Sequence, residues 1–176
     1  MDLSYSVVDA EGVREILHIL PELRKLRIAW GQPLVAECNE LDLDRMGQFL
    51  REGAGKLEVL DLDFFESFEY CEAEARGRLG SLRELVNLRE LSIQPTVLVG
   101  EEPINLPDSE DDDDENGDPQ PLVLMDVLPD RLEYLCLYQG AREFDWSEEA
   151  AKSLLGSERL PRLRTAVMND TTNRMS

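Results

Sequence analysis

The sequence predicts an α/β solenoid in which short parallel strands line a concave side and helices cover a convex side. Two observations support this fold class. A pattern of leucines recurs along the 176 residues, and the apolar residues between its copies follow the period of a helix. A complete copy of the pattern reads as leucine, two residues, leucine, two residues, leucine, one residue and an aliphatic residue.

Six copies of this pattern can be aligned along the chain. Two are complete, two are shortened, one is weaker, and residues 1–6 match the end of one more. Alternate residues of a strand point to one face, so the last apolar residues of each copy predict a short strand that is buried on one side. The closing aliphatic residues of the six copies are Leu3, Ile28, Leu62, Ile93, Leu137 and Met168.

Helices are predicted between the strands. The first follows Asp9 and the second follows Asp42, because aspartate is a favoured N-cap residue and apolar residues then recur at helical spacing. A third is predicted over residues 72–86, although Gly77 and Gly80 disfavour it. The last unit predicts a helix with four apolar positions, Ala150, Ala151, Leu154 and Leu155.

No single unit of this kind can bury its apolar side alone, so the units must stack. We therefore expect one domain over residues 1–176, built from about five to six irregular helix–turn–strand units. Residues 101–121 interrupt the pattern. Their composition, rich in acids and prolines, predicts a disordered loop inserted between two repeats.

The leucine pattern resembles that of leucine-rich-repeat proteins, and its long, uneven units resemble the repeat arrays of F-box-type adaptor proteins of filamentous fungi. The resemblance covers nearly the whole chain. It implies protein–protein interaction, with recognition of a substrate in a ubiquitin-ligase context as one use. Two family features are missing: an F-box segment is not recognisable, and the asparagine or cysteine expected after each strand is replaced. The six positions hold Ser6, Gly31, Phe65, Thr96, Gly140 and Thr171.

The net charge of −20 limits the classes of partner. Residues 101–118 hold ten acidic residues and no basic one. A negative field repels phosphate backbones and anionic lipid surfaces, so binding to nucleic acid or to a membrane is not expected. A partner selected by charge would be basic.

Three interpretations of the acidic loop remain open. It is a solvated insertion, or a contact for a basic partner, or a calcium site. The loop also offers Ser109 followed by acids, a pattern suited to an acid-directed kinase. The residues of this basic-partner or phosphorylation segment are Ser109, Asp111, Asp112, Asp113 and Asp114. The calcium interpretation is disfavoured, because Val123 stands where an EF-hand requires a bidentate glutamate. We expect no metal.

The lack of a recognisable secretory signal and the pattern of cysteines predict an intracellular protein of the cytoplasm or nucleus. The first residues do not form a secretory signal, and no run of about 18 apolar residues occurs. The three cysteines are widely spaced and form no Cys-x-x-Cys pair, which argues against a disulfide framework and a zinc site.

Residues that alternate with the buried leucines are expected to face outward along the concave side and to bind a protein partner. Aromatic residues and arginine often anchor interfaces. The candidate binding residues are Arg27, Trp30, Asp61, Asp63, Phe64, Gln94, Tyr134 and Tyr138. A structural alternative exists, in which Arg27 pairs with Asp61 on the next strand while Trp30 and Phe64 pack as core.

No enzyme activity and no cofactor are expected. His18 is the single histidine and lies on the first predicted helix beside apolar residues, without a nucleophile motif around it. Residues 53–56 superficially match a phosphate-binding loop, but Leu57 replaces its Ser or Thr, and a helix-to-strand turn is the simpler interpretation.

Three function hypotheses follow from the sequence. The leading one is a protein-interaction module. The second is an acidic binder of basic nuclear proteins through residues 108–118, and the third is a truncated repeat fragment without a binding role. We expect a monomer, with self-association possible through the uncapped first strand.

Overall fold

The computed structural model describes residues 1–6, 8–30, 41–64, 77–100, 122–139 and 152–170. Six strands form one open, parallel sheet, and their order in space follows their order in the chain. This confirms the α/β class and the parallel sheet. The strands are β1 (Asp2–Ser6), β2 (Lys25–Trp30), β3 (Val59–Asp63), β4 (Glu90–Ile93), β5 (Tyr134–Gln139) and β6 (Thr165–Asp170).

The closing aliphatic residues of the six sequence copies form one continuous row across the sheet. Leu3 pairs with Ile28, Ile28 with Leu62, and Leu62 with Ile93. Leu137 and Met168 continue the row. The spacing of the leucines therefore predicted the register of every strand pair. On the inner strands this row is fully buried, and it forms part of one hydrophobic core.

A similar turn precedes each of five strands. In each turn the leucine at its end donates its backbone N–H to the carbonyl oxygen three residues earlier, as Leu23 does to Leu20 at 3.0 Å and Leu88 to Leu85 at 2.9 Å. Leu57, Leu132 and Leu163 make the corresponding bonds at 3.0, 3.2 and 3.1 Å. Hence the repeat in the sequence is also a repeat in backbone hydrogen bonding.

Basic and acidic residues alternate along the sheet where the strands begin. Each of these residues after the first donates its backbone N–H to the carbonyl oxygen of the preceding one, at 2.8 or 2.9 Å. Two ion pairs join side chains of neighbouring units, at 2.9 Å between Arg24 and Glu58 and at 3.9 Å between Arg89 and Glu133. Such exposed pairs each contribute less than about 1 kcal/mol. The alternating row consists of Arg24, Glu58, Arg89, Glu133 and Arg164.

Two longer helices and two short ones are described. Both longer helices have the predicted caps: a side-chain oxygen of Asp9 accepts from the N–H of Gly12 at 2.8 Å, and one of Asp42 accepts from that of Arg45 at 2.9 Å. The second helix ends at Gly53, so residues 53–56 form the expected turn. The helices are α1 (Ala10–Ile19), α2 (Leu43–Gly53), α3 (Pro95–Val99) and α4 (Leu124–Val127).

The helix predicted over residues 72–86 is wrong for its described part, from residue 77 onward. Gly77 and Gly80 adopt φ angles of +78° and +73°, which are incompatible with a right-handed helix. The segment is instead held by external bonds. Leu79 donates its N–H to the carbonyl of Val97 at 2.9 Å, and its own carbonyl accepts from the guanidinium of Arg51 at 2.8 Å.

The described part of the chain contains no helix that is both long and apolar enough to cross a membrane. Of the last predicted helix, Ala150 and Ala151 lie outside the described residues, whereas residues 152 and 153 are helical and Leu154 and Leu155 form a turn.

Replacing Gly47 by alanine tests the close approach of residues 77–82 to α2. A Cβ atom at Gly47 would overlap the carbonyl of Leu79, so Gly47→Ala should destabilise the fold by about 2 kcal/mol or more, although alanine favours helix by about 1 kcal/mol. This corresponds to a fall in Tm of roughly 4–8 °C. Gly55→Ala is the control, because no atom lies within 4 Å of that Cβ position. Equal thermal stability of the two variants would contradict the packing.

Candidate functional site

One face of the sheet carries the side chains that alternate with the buried row, and we call it the polar face. Its middle row runs across all six strands in the paired register. The polar face consists of Asp2, Ser4, Lys25, Arg27, Ala29, Val59, Asp61, Asp63, Glu90, Ser92, Gln94, Tyr134, Cys136, Tyr138, Thr165, Val167 and Asn169.

Asp61 lies at the centre of a polar network on this face. One carboxylate oxygen accepts from the Nε of Arg27 at 3.2 Å, and the other accepts from the phenol of Tyr138 at 2.7 Å. Arg27 also reaches the carboxylate of Asp2 at 3.8 Å. The network therefore links β1, β2, β3 and β5. The expected alternative for Arg27, pairing with Asp61 on the next strand, is confirmed.

Tyr138 is buried, with 3% of its surface exposed, so the expectation that it faces a partner is corrected. Burial raises the pKa of its phenol well above the ordinary value near 10.0, and the hydrogen bond to Asp61 raises this pKa further. The phenol thus stays neutral and donates to a carboxylate within the fold. Its role in this arrangement is to hold β5 to β3 across β4.

Gln94 is also buried, with 4% of its surface exposed, which again corrects the expected outward position. Its side-chain oxygen accepts from the backbone N–H of Phe64 at 3.3 Å, and its side-chain nitrogen lies 3.5 Å from a carboxylate oxygen of Asp63. Gln94 therefore fixes the end of β3 to the end of β4. Asp63 remains half-buried on the polar face.

Trp30 and Phe64 lie in the interior and not on a binding surface, so these two expectations are corrected as well. Their rings stack with centroids 4.1 Å apart and planes 10° apart, and they are 6% and 0% exposed. The indole N–H of Trp30 donates to the carbonyl of Val8 at 2.7 Å. The physical reason is strand alternation: Trp30 follows Ile28 by two residues and Phe64 follows Leu62 by two, so both point to the buried face of the sheet.

The accessible part of the polar face is smaller than expected. Tyr134 is 36% exposed, the side chain of Arg27 is 44% exposed, and Lys25 and Glu90 are exposed. Lys25, Val59, Glu90 and Tyr134 are neighbours in one row of the register. We call Lys25, Arg27, Glu90 and Tyr134 the open patch. Lys25 and Glu90 were not among the predicted binding residues, although both alternate with buried leucines and are charged.

The environment of Tyr134 differs from that of Tyr138. Burial raises the pKa of Tyr134, and the neighbouring Cys136 raises it further. The side chain of Cys136 belongs to the polar face but is buried. Because Tyr134 keeps a partly exposed ring beside the charged Glu90 of the neighbouring strand, it offers an apolar surface with a polar end, as interface tyrosines commonly do.

The remaining expectations concern residues away from this face. Ser109, Asp111, Asp112, Asp113 and Asp114 lie outside the described residues. His18 is exposed in the last turn of α1 and not on the polar face. Within the described ranges, no group of three or more metal-ligating side chains comes together.

Comparisons of the chain with protein-family models, with curated proteins and with solved structures found no significant match.

Replacing Tyr138 by phenylalanine tests the network through its dependence on pH. Loss of the bond to Asp61 should lower the free energy of unfolding by about 1 kcal/mol at neutral pH. The raised pKa means that the folded state holds the phenol proton more tightly than the unfolded state. This stabilisation is complete below about pH 10 and is lost as the pH rises towards the folded pKa. The difference between wild type and Tyr138→Phe should therefore shrink above about pH 10.

Urea unfolding between about pH 7 and pH 11 measures this difference. Tyr134→Phe is the matched control, because its phenol is more exposed and has no hydrogen bond to a carboxylate among the described residues. An equal loss of stability in both variants at neutral pH would contradict the role assigned to Tyr138.

Proposed function

We propose that the chain is a leucine-rich-repeat solenoid that binds another protein through the open patch on the concave, polar face of its sheet. The observation that carries this proposal is the combination of an exposed tyrosine and exposed charges on strands that the Asp61 network holds in place. Strands that are already held in place lose little backbone entropy when a partner binds.

Repetition at three levels supports the solenoid. The leucine pattern recurs in the sequence, the closing aliphatic residues pair in one row, and an equivalent turn bond precedes five strands. Strands added one after another in chain order are the arrangement that stacked repeats produce. The uneven unit lengths fit the resemblance to fungal F-box-type arrays, and within that resemblance the bound protein would be a ubiquitin-ligase substrate.

The residue types of the open patch support protein binding. Tyrosine and arginine are enriched among the residues that contribute most to interface affinity. Lys25 and Glu90 flank the half-buried Val59 in the same row as Tyr134, which gives an apolar centre with a charged rim. We propose a non-catalytic role, in which these side chains contact a partner and transform nothing.

Site-specific photo-crosslinking tests this proposal. A photo-crosslinking phenylalanine analogue is placed at position 134 in the open patch or at position 48, where Gln48 is exposed on α2. We expect a protein to be captured from position 134 and not from position 48. With that protein purified, Tyr134→Ala combined with Arg27→Ala should raise its Kd by at least roughly tenfold, since interface anchors cost more than about 1 kcal/mol.

Gln48→Ala is the matched control for affinity and should leave the Kd unchanged. Capture of the same protein from both positions, or a Kd that the open-patch variants do not change, would contradict binding through the polar face.

The distribution of charge favours a second candidate function, binding of a basic protein. The segments 31–40, 65–76, 101–121 and 140–151 contain 20 of the 38 acidic residues and two of the 18 basic residues. The described residues hold 18 acidic and 15 basic residues and are therefore close to neutral. In the sequence, these four segments follow β2, β3, β4 and β5.

Deletion of residues 108–118 separates the two candidates. A basic partner held by these acids should bind more weakly as salt rises from about 0.05 to 0.3 M, and the deletion should remove most of that salt dependence. The control for segment length is a variant in which the acids of residues 108–118 are changed to their amides. This variant loses the charge and keeps the length. If the amide variant keeps full, salt-dependent affinity, this second function is excluded.

A further inference from the structure

The outer side of β6 is an open sheet edge among the described residues. Thr165 donates its N–H to the carbonyl oxygen of Glu133, so it faces the preceding strand. Alternate residues of a parallel strand face the same neighbour, so Val167 and Asn169 also face β5. Ala166 and Met168 therefore direct their N–H and C=O groups away from β5, where the described sheet has no further strand.

The side chains of β6 leave its buried row partly open. Ala166 lies across from Leu135 and Met168 across from Leu137, which are both fully buried, yet Ala166 and Met168 are only half-buried. Apolar surface and outward backbone groups thus coincide at this edge. A strand that covered it would gain hydrogen bonds and bury apolar area together.

The central part of β6, residues 165–169, lacks the features that normally protect an edge strand from pairing. Residues 165–169 contain no charge and no proline, and the register with β5 has no bulge. The two strands each carry an aspartate at one end, but the register of β1 shifts between Ser4 and Ser6, so the opposite edge is the better protected one. Self-association, which the sequence placed at the first strand, is therefore favoured at the other edge.

The order of residues in β6 is complementary to itself in the antiparallel direction. With Val167 across from Val167 of a second copy, Ala166 lies across from Met168, so the residues with outward backbone groups form the hydrogen-bonded pairs. The same register places residue 170, an aspartate in the sequence, across from Arg164. The twofold axis repeats this pair, so one pair of opposite charges lies on each side of an uncharged centre.

We propose that the outer edge of β6 is a homodimer interface, in which β6 of a second copy pairs antiparallel about Val167 and continues the sheet. The buried rows of both copies then join on one face, and both polar faces lie on the other. This interface is distinct from the open patch and needs no other partner. Its test is thus independent of the function proposed above.

Sedimentation equilibrium of the full chain in about 0.15 M salt, where repulsion between two acidic copies is screened, measures the association. Arg164→Asp should raise the dimer Kd by roughly tenfold or more, because it sets like charges opposite each other twice. Asp170→Arg should do the same, although it lowers the net negative charge. The double variant restores opposite charges and should return the Kd to within about threefold of wild type.

Arg162→Asp is the matched control, because it changes the net charge as Arg164→Asp does at an exposed turn position outside the paired strand. Thermal unfolding by circular dichroism confirms that each variant folds. A wild-type chain that stays monomeric up to about 0.5 mM overturns the proposal. So does an Arg162→Asp effect as large as that of Arg164→Asp, or a double variant that associates no better than the single ones.

Discussion

The register of the buried aliphatic row is the constraint on which the rest of the structure depends. A shift of one residue between any two strands would turn every leucine of one strand towards the polar face, and each fully buried leucine contributes about 2 kcal/mol. The row from Leu3 to Met168 avoids this on all five strand pairs. Because these strands are parallel, their register also sets the spacing of the turns and the alternating charges where they begin.

The same register determines what the polar face can do. It brings Arg27 beside Asp61, and it places Tyr138 close enough to reach Asp61 from two strands away. These side chains satisfy one another inside the fold and stabilise the face. Contact with a partner is left to residues such as Lys25 and Tyr134, whose neighbours in the row leave them exposed. Stability and binding thus involve neighbouring residues of one sheet, and Arg27 takes part in both.

The features that the sequence predicted are those that local spacing encodes. Leucines at intervals of three and two residues place strands and register, and Asp9 and Asp42 begin helices because their side chains cap the next turn. The predicted helix over residues 72–86 is wrong for residues 77–86, where the leucines belong to successive turns. The positive φ angles of the glycines determine the backbone there, and the spacing of leucines does not reveal them.

The composition of the candidate site was predicted only in part. Strand alternation already places Trp30 and Phe64 on the buried face of the sheet. They were predicted to bind a partner because they are aromatic, and their position in the strand was given too little weight. Tyr138 and Gln94 are buried where they bond to Asp61 and Asp63 of β3. These partners lie 77 and 31 positions earlier in the chain. Such contacts follow from the stacking of units, so the pattern within a single unit does not contain them.

The most direct test of this account is a nuclear Overhauser map of cross-strand contacts in the isotopically labelled chain. It should show backbone contacts that pair Ile28 with Leu62, Leu62 with Ile93, and Ile93 with Leu137. The last pair is the most informative, since it joins strands on either side of the acidic segment. Contacts displaced by one or two residues at this pair, or their absence, would contradict the shared register from which the polar face and both interfaces are argued.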